Sequence, residues 1–393
     1  MNFESPQLLP PAKKLLIASF TAPQNQDGVA MAVGLMAREM KVRGWDVFIT
    51  ATEPEKPTVI DPIHFHAIPT IAARTPERLT QDAREKLFMW LDGIKPSVIV
   101  IHSWIDWPTP ALMTYAKKRA VPIFVMGHGF GAHLMQWVPK PPFFGLARWA
   151  RSWVLVIKMI LWIRQMKGLV VLGKEPHYVR AFDHWLARKI KSKHIHVIPN
   201  AIKPLEPNPI DFRKIHGINE KLLILCLAGY SPRKDQILVL NGFLKARIAD
   251  SVMVFIGPAW NEYAAKLQSA AEPPCASVLL LHGLPRNEVE ASIKSCDIAI
   301  LGSESEMQPI FLLEAMSEGK PWICPKVGAV DELEGGIVCG RTAGELAAAL
   351  VQLSTPSLRM SLGASGKQQW QAEFRTETVY NKWDEILTNS ISC

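Results

Sequence analysis

Short apolar-rich runs recur along this chain, separated by stretches too long for hairpins. In the first half they are Leu15–Phe20, Asp46–Thr50, Ser97–His102, Pro122–Met126, Leu169–Leu172 and Ile195–Ile198. In the second half they are Leu222–Leu227, Val252–Ile256, Val278–Leu281, Ile298–Leu301 and Trp322–Cys324. Helical patterns lie between several of them, at Val29–Val42, Ala111–Arg119 and Gln236–Ala246. Strands alternating with helices build a parallel sheet covered on both faces, so the expected class is α/β. A chain of 393 residues exceeds one ordinary core and suits two domains of nearly equal size. Pro199-Asn200 opens a passage with Pro204, Pro207 and Pro209 that reads as the linker. Ligands of such sheets bind outside the carboxyl ends of the strands.

One segment carries a site. In Ser303–Pro325, Glu306 lies in a loop after the run Ile298–Leu301, and Glu314 lies in the following helix with seven residues between them. Pro309 suits a first helical position, where its fixed φ helps and its missing N–H costs nothing. The free N–H groups of that first turn, around Gln308, Pro309, Ile310 and Phe311, can hold an anion such as a diphosphate. Glu314 sits about one turn deeper, within reach of hydroxyls attached to that phosphate. Gly319 ends the helix and Pro321 prevents its continuation.

Ser303, Glu306, Leu313-Glu314-Ala315-Met316, Gly319, Pro321 and Val327-Gly328, in this order after an apolar strand, resemble the sugar-donor site of retaining GT-B glycosyltransferases of family 4. The family commonly has Gly-Phe-Gly where this chain has Met307-Gln308-Pro309, although Gln-Pro also occurs there. The resemblance implies two doubly wound, Rossmann-like domains facing a cleft. It assigns residues 1–203 to an acceptor-side domain, 204–369 to a nucleotide-sugar domain, and 370–393 to a helix that crosses back. It covers nearly the whole chain and is most specific from Leu222 to Cys339.

Further positions match in part. The family usually has Gly-Arg and then Lys after the first strand of the second domain, both cations neutralising the diphosphate. Here Lys234 aligns, Gly229 stands at the arginine position, and Arg233 is next door as a substitute charge. Gly257-Pro258, then His282-Gly283 with Pro285, match two family turns, and Pro199-Asn200 matches a third with Ala201 in place of glycine. In the first domain Gly28 stands where a glycine loop nears the phosphates, and His128-Gly129 where a histidine touches the sugar or its phosphate. The implied roles are Glu314 on ribose hydroxyls, Glu306 on the sugar, and Lys234, Arg233 and the helix start at Pro309–Phe311 on the diphosphate. His128, Gly28 and Gly257 complete the pocket.

The implied activity is transfer of a hexose from a nucleotide diphosphate sugar to a hydroxyl acceptor, with retention. The alternatives are a nucleotide-sugar 2-epimerase of the same fold and a non-catalytic nucleotide-sugar-binding protein, the latter favoured by Gly229 and the turn Met307–Pro309. No cofactor beyond the sugar donor is implied. Asp-x-Asp, the metal motif of the other large glycosyltransferase fold, is absent, so metal-independent transfer is expected. His64/His66 and His194/His196 each place two rings on one strand face but lack a third ligand.

Charge separates the halves. Residues 1–200 hold 26 Lys and Arg against 14 Asp and Glu, and residues 201–393 hold 18 against 22. Lys140–Lys193 has 12 basic residues and only Glu175 and Asp183 as acids, which points to an anionic partner such as a membrane surface or lipid diphosphate. No nucleic-acid module accompanies the basic residues. Leu146–Lys167 carries Arg148, Arg151, Lys158 and Gln165 on one helical stripe, with Trp149, Trp153 and Trp162 on the rest. Its longest uncharged run, Ser152–Ile157, is far short of a bilayer span. Two readings stand, a buried helix of the first domain or an interfacial helix on phosphates, extended by Trp137, Pro141, Pro142, Phe143 and Phe144. The charge favours residues 137–167 as a membrane-facing region and a lipid-linked or cell-envelope saccharide as acceptor. MNFESPQLLPPAKK is unlike a signal peptide, and six cysteines without Cys-x-x-Cys suggest reduced thiols. The expected location is the cytoplasm, peripheral on the inner face of the membrane.

Overall fold

In the computed structural model the described residues are 13–23, 28–52, 63–68, 73–75, 78–102, 104, 106–128, 146–175, 181–271 and 277–392. The expectations placed on 129–131 and 137–145, and on the loop residues 24–27, lie outside them.

Two parallel sheets organise the chain. The first has seven strands, in spatial order His64–Ile68, Asp46–Thr52, Lys14–Ala18, Val98–Ile101, Ile123–Met126, Gly168–Val171 and Ile195–Val197. The second has six, in the order Val278–His282, Ser251–Gly257, Leu222–Leu227, Ile298–Ile300, Trp322–Pro325 and Gly336–Cys339. Each sheet is laid outward from its first strand in one direction, then from that same strand in the other. The direction reverses between Lys14–Ala18 and Val98–Ile101, and between Leu222–Leu227 and Ile298–Ile300. A crevice opens at such a switch point because the loops leaving the two strands diverge.

The inner strands are buried on both faces, as their apolar runs require, whereas the edge strands His64–Ile68, Ile195–Val197, Val278–His282 and Gly336–Cys339 are only partly covered. Leu15 and Ile17 face one core of the first domain and Leu16 and Ala18 the other, the two-residue period of a strand. Val98 and Val100 against Ile99 and Ile101 repeat the division. Strand boundaries move by a residue or two from the sequence expectation, whereas the helices Gln81–Ile94, Phe182–Lys189, Arg286–Ser295 and Ala343–Leu353 were not anticipated. Gln81–Ile94 buries only Ala83, Leu87 and Leu91, a stripe one residue wide in a charged segment, and is started by the Thr80 side chain accepting from the Ala83 N–H. So thin a stripe is faint in sequence.

The chain passes between domains twice at one place. The Ile202 N–H donates to the Phe374 carbonyl at 2.9 Å, pairing the outward crossing with the return. The helix Thr376–Ile391 then lies on the first domain. Val379, Tyr380, Trp383 and Leu387 join the core that holds Leu15 and Met36, and the Trp45 indole donates to Asp384 Oδ1 at 2.6 Å.

The helix Leu146–Gln165 divides its apolar residues between two sides. Met159 and Ile163, with Met166 just past its end, are buried, whereas Trp153, Val154, Ile157 and Leu161 are each more than half exposed. Neither expectation for this segment describes it alone. No helix among the described residues is long and apolar enough to cross a membrane.

Candidate active site

Two loops leave the switch point of the second domain. One follows Leu222–Leu227 and carries Arg233 and Lys234; the other follows Ile298–Ile300 and carries Ser303 to Pro309. They are bound together: Glu304 N–H donates to the Arg233 carbonyl at 2.8 Å, and Arg233 Nη1 to the Ser305 carbonyl at 3.4 Å. Gly302 permits this approach, because a Cβ there would stand 2.6 Å from the Asp235 carbonyl oxygen. Asp235 then caps the helix Gln236–Ala246 through the Leu238 N–H.

Glu306 and Lys234 meet across the crevice as an ion pair, and Ser303 Oγ donates to the same Glu306 oxygen at 2.8 Å. The Glu306 side chain is 10% exposed. Its backbone is buttressed from behind by the Val327-Gly328 turn. Gly328 has φ +51°, and a Cβ would lie 2.4 Å from the Glu306 carbonyl oxygen and 2.3 Å from that of Met307. Ala329 N–H donates to the Met307 carbonyl at 2.7 Å. The Val-Gly element thus has a physical reason: only glycine leaves room for the peptide that carries Glu306.

Glu314 lies in the helix Ile310–Ser317, whose preceding residue, Pro309, is the N-cap and not its first residue. The carboxylate is buried and bonded to Arg286 Nη2, while Arg286 Nε bonds Glu290 at 2.8 Å. Burial pushes the Glu314 carboxyl above its usual range, and the Arg286 charge offsets this only in part. Arg286, half-exposed at the start of the helix Arg286–Ser295, was missed by the sequence reading. The one signal was its place directly after Pro285 in a family turn. Each of the two carboxylates therefore carries a cation from another loop, so neither is left as an uncompensated buried charge.

Other predicted residues fall around this pair. Gly28 begins the helix Gly28–Val42, and a Cβ on it would stand 3.6 Å from Ile310 Cδ1. The N-termini of two helices, one from each domain, therefore face each other, and both present positive dipole ends. Gln308 is buried and turned to the linker: its Oε1 accepts the Asn200 N–H at 2.7 Å, and its carbonyl accepts Asn200 Nδ2 at 3.2 Å. Gly257 makes room for the Tyr230 ring, 2.5 Å from where its Cβ would be, and the Tyr230 hydroxyl donates to the Leu281 carbonyl at 2.7 Å. Phe311 is buried in the second core. His128 is half-buried at the carboxyl end of Ile123–Met126 and is bonded to His102.

A cavity of 350 Å³ lies between the domains, with Met36, Arg38, His102, Asn200, Arg286 and Glu314 in its walls. It reaches Glu314 but not Glu306 or Lys234. The domains also touch beyond it. Both Glu332 oxygens accept backbone N–H groups of the first domain, from Lys174 at 2.8 Å and Glu175 at 3.1 Å. Of the paired histidines, His64 stacks on Phe48 and His66 on Trp90, and no three metal-ligating side chains converge among the described residues.

Comparison with known proteins agrees with this architecture. Residues 27–157 match the model of the glycosyl transferase 4-like domain, and residues 209–360 that of glycosyl transferases group 1. The N-acetyl-alpha-D-glucosaminyl L-malate synthase of Bacillus anthracis is 24% identical over 176 residues, which are 40% of this chain and 46% of that protein. The match thus spans less than half of that relative. Among solved structures, sucrose-phosphate synthase from Thermosynechococcus elongatus superposes with a TM-score of 0.74 at 16% identity, covering 97% of this chain and 99% of that one. Anabaena HepE in complex with UDP and glucose gives 0.70 at 13%, covering 96% and 99%. WaaG, a glycosyltransferase involved in lipopolysaccharide biosynthesis, gives 0.66 at 14%, covering 95% and 99%. The fold is GT-B, and through both of its domains the chain resembles the glycosyltransferases of family 4.

Proposed function

We propose that this chain is a retaining glycosyltransferase that moves a hexose from a nucleotide diphosphate sugar to a hydroxyl acceptor. One observation carries the reading. Glu306 with Lys234, and Glu314 with Arg286, flank the N-terminus of Ile310–Ser317 at a switch point, opposite the N-terminus of Gly28–Val42. An incoming sugar donor exchanges these pairs. The diphosphate takes Lys234, Arg233 and the two helix starts, the ribose hydroxyls take Glu314, and the sugar hydroxyls take Glu306. The cations then stabilise the departing diphosphate without a metal ion. The acceptor hydroxyl attacks on the face that the diphosphate leaves, and a phosphate oxygen takes its proton, so configuration is retained. Rotation about the paired crossings at Ile202 and Phe374 closes the cleft and excludes water.

The acceptor is a lipid-linked or cell-envelope saccharide, and the protein works at an anionic membrane. Support comes from Trp153, Val154, Ile157 and Leu161, which stand outward on one helix beside Lys158 and Arg164.

Calorimetric titration with UDP, GDP and ADP tests the sugar-donor site. One nucleotide is expected to bind selectively, with affinity lowered roughly tenfold or more in Glu314→Ala, the loss of about one charge-assisted hydrogen bond. Glu306→Gln should impair transfer far more than nucleotide binding; an equal loss of both refutes its role on the sugar. Binding without turnover on any acceptor would favour a nucleotide-sugar-binding protein instead.

A further inference from the structure

Glu332 belongs to the second domain, yet both of its carboxylate oxygens serve the first. Oε2 accepts the Lys174 N–H at 2.8 Å and Oε1 accepts the Glu175 N–H at 3.1 Å. These are consecutive main-chain donors in the loop that follows the strand Gly168–Val171. The Lys174 ammonium turns elsewhere, to Glu373 at 3.6 Å. What Glu332 grips is therefore backbone, and the grip needs two acceptor oxygens, as an ionised carboxylate provides. Gly173 lets the loop come this close. A Cβ on it would stand 2.8 Å from the Ala329 Cβ and 2.9 Å from Glu332 Oε1. A cavity of 10 Å³, about the space of one water, remains at this contact, with Gly127 and Asp183 on one side and Met307 and Gly328 on the other. The contact joins two domains and leaves no room for a substrate.

The gripped turn is also the one that supports Glu306. Val330–Glu332 is a single 3-10 turn, and the Glu332 N–H donates to the Ala329 carbonyl at 3.1 Å. The Ala329 N–H donates to the Met307 carbonyl at 2.7 Å, and Gly328 packs against the carbonyls of Glu306 and Met307. Gln369 Nε2 ties the same turn to the return crossing by donating to the Glu332 carbonyl at 3.0 Å. Hydrogen bonds thus run without a gap from the loop 173–175 through Glu332 and Ala329 to Met307, next to the carboxylate that Lys234 holds.

We propose that Glu332 is a positioning residue. It latches the loop 173–175 of the first domain onto the turn that supports Glu306, so that closing the cleft and setting the Glu306 peptide are one event. Two hydrogen bonds from neutral donors to one carboxylate favour closure and still break at each opening. The consequence for the sugar rests on the glycosyltransferase reading; the coupling between the domains does not.

The test is hydrogen exchange of the full chain, read at single amides by mass spectrometry for wild type, Glu332→Ala, Glu332→Gln and Gly173→Ala. Unchanged protection along the strand Leu222–Leu227 shows that a variant is folded. In wild type the Lys174 and Glu175 amides should be protected. In Glu332→Ala both should exchange roughly tenfold faster or more, and the Ala329 amide should speed up with them. Gly173→Ala, which wedges the contact from the other domain, should give the same three changes. Glutamine keeps one acceptor oxygen, so one of the two loop amides should stay protected. Unprotected Lys174 and Glu175 amides in wild type overturn the proposal. So does an Ala329 amide that is unmoved when the loop is released, since the contact would then hold the domains without touching the support of Glu306. Should Glu332→Ala fail to fold, Glu332→Gln and Gly173→Ala still decide: full protection of both loop amides in the glutamine variant, or an unmoved Ala329 amide in the glycine variant, overturns it. Titration with UDP, GDP and ADP reads the sugar-donor site separately. Coupled exchange in a protein that binds none of them would leave the latch standing and remove only its consequence for the sugar.

Discussion

Gly229 occupies the position where the resembling family carries an arginine. A Cβ there would meet only Pro258, at 3.9 Å, and its φ is not positive, so a side chain is sterically permitted. Arg233, the substitute charge, is exposed and spends a hydrogen bond on the Ser305 carbonyl. Gly229→Arg should therefore add a charge-assisted contact and tighten nucleotide diphosphate binding roughly tenfold, about 1.4 kcal/mol, as read by calorimetry. Unchanged or weaker binding would place the diphosphate away from this loop. The carboxylates Glu306 and Glu314 were legible as a spaced pair in the sequence. Their cations were not equally so: Lys234 lay in a family pattern, whereas Arg286 is 28 residues from Glu314 and finds it only because two helices pack. His102 had no signal beyond the end of an apolar run.

At the level of elements, the helix Leu146–Gln165 has two faces with different work. Met159, Ile163 and Met166 anchor it to the first domain, and the i, i+4, i+8 series Trp153, Ile157 and Leu161 looks outward. Its periodicity could not separate the sides, because both are apolar and only packing chooses between them. Replacing Trp153, Ile157 and Leu161 together by serine removes outward apolar area without touching the anchors. Flotation with vesicles of anionic lipid should then lose most of the bound protein, while nucleotide binding is kept. Wild-type protein that ignores such vesicles would sink the membrane reading.

Across the whole molecule, the chain borrows its last helix for its first domain. Trp383 is 2% exposed within the core that contains Leu15 and Met40. Trp383→Ala should cost about 3–5 kcal/mol, as large core truncations do. Because the second domain has its own core, denaturant unfolding should show an earlier first-domain transition and a second-domain transition left in place. A single transition shifted as one would mean that the contacts of Asn200 with Gln308, and of Glu332 with Lys174 and Glu175, couple the domains more tightly than hinged closure allows.

The sequence by itself determined the strands, since an apolar run such as Leu15–Ile17 or Leu222–Leu227 has no stable place except the middle of a covered sheet. It also set which groups share the segment Ser303–Gly328, where proline, glycine and two carboxylates lie close along the chain. Tertiary structure decided what depends on distant partners. It placed Lys234 on Glu306, Arg286 on Glu314, Gln308 on the linker and His102 beneath His128, and it chose which side of Leu146–Gln165 faces outward. Local spacing encodes an element's period and its ends. It carries no record of which charge another loop brings to within a hydrogen bond, because that is set only when two sheets and their switch points are packed.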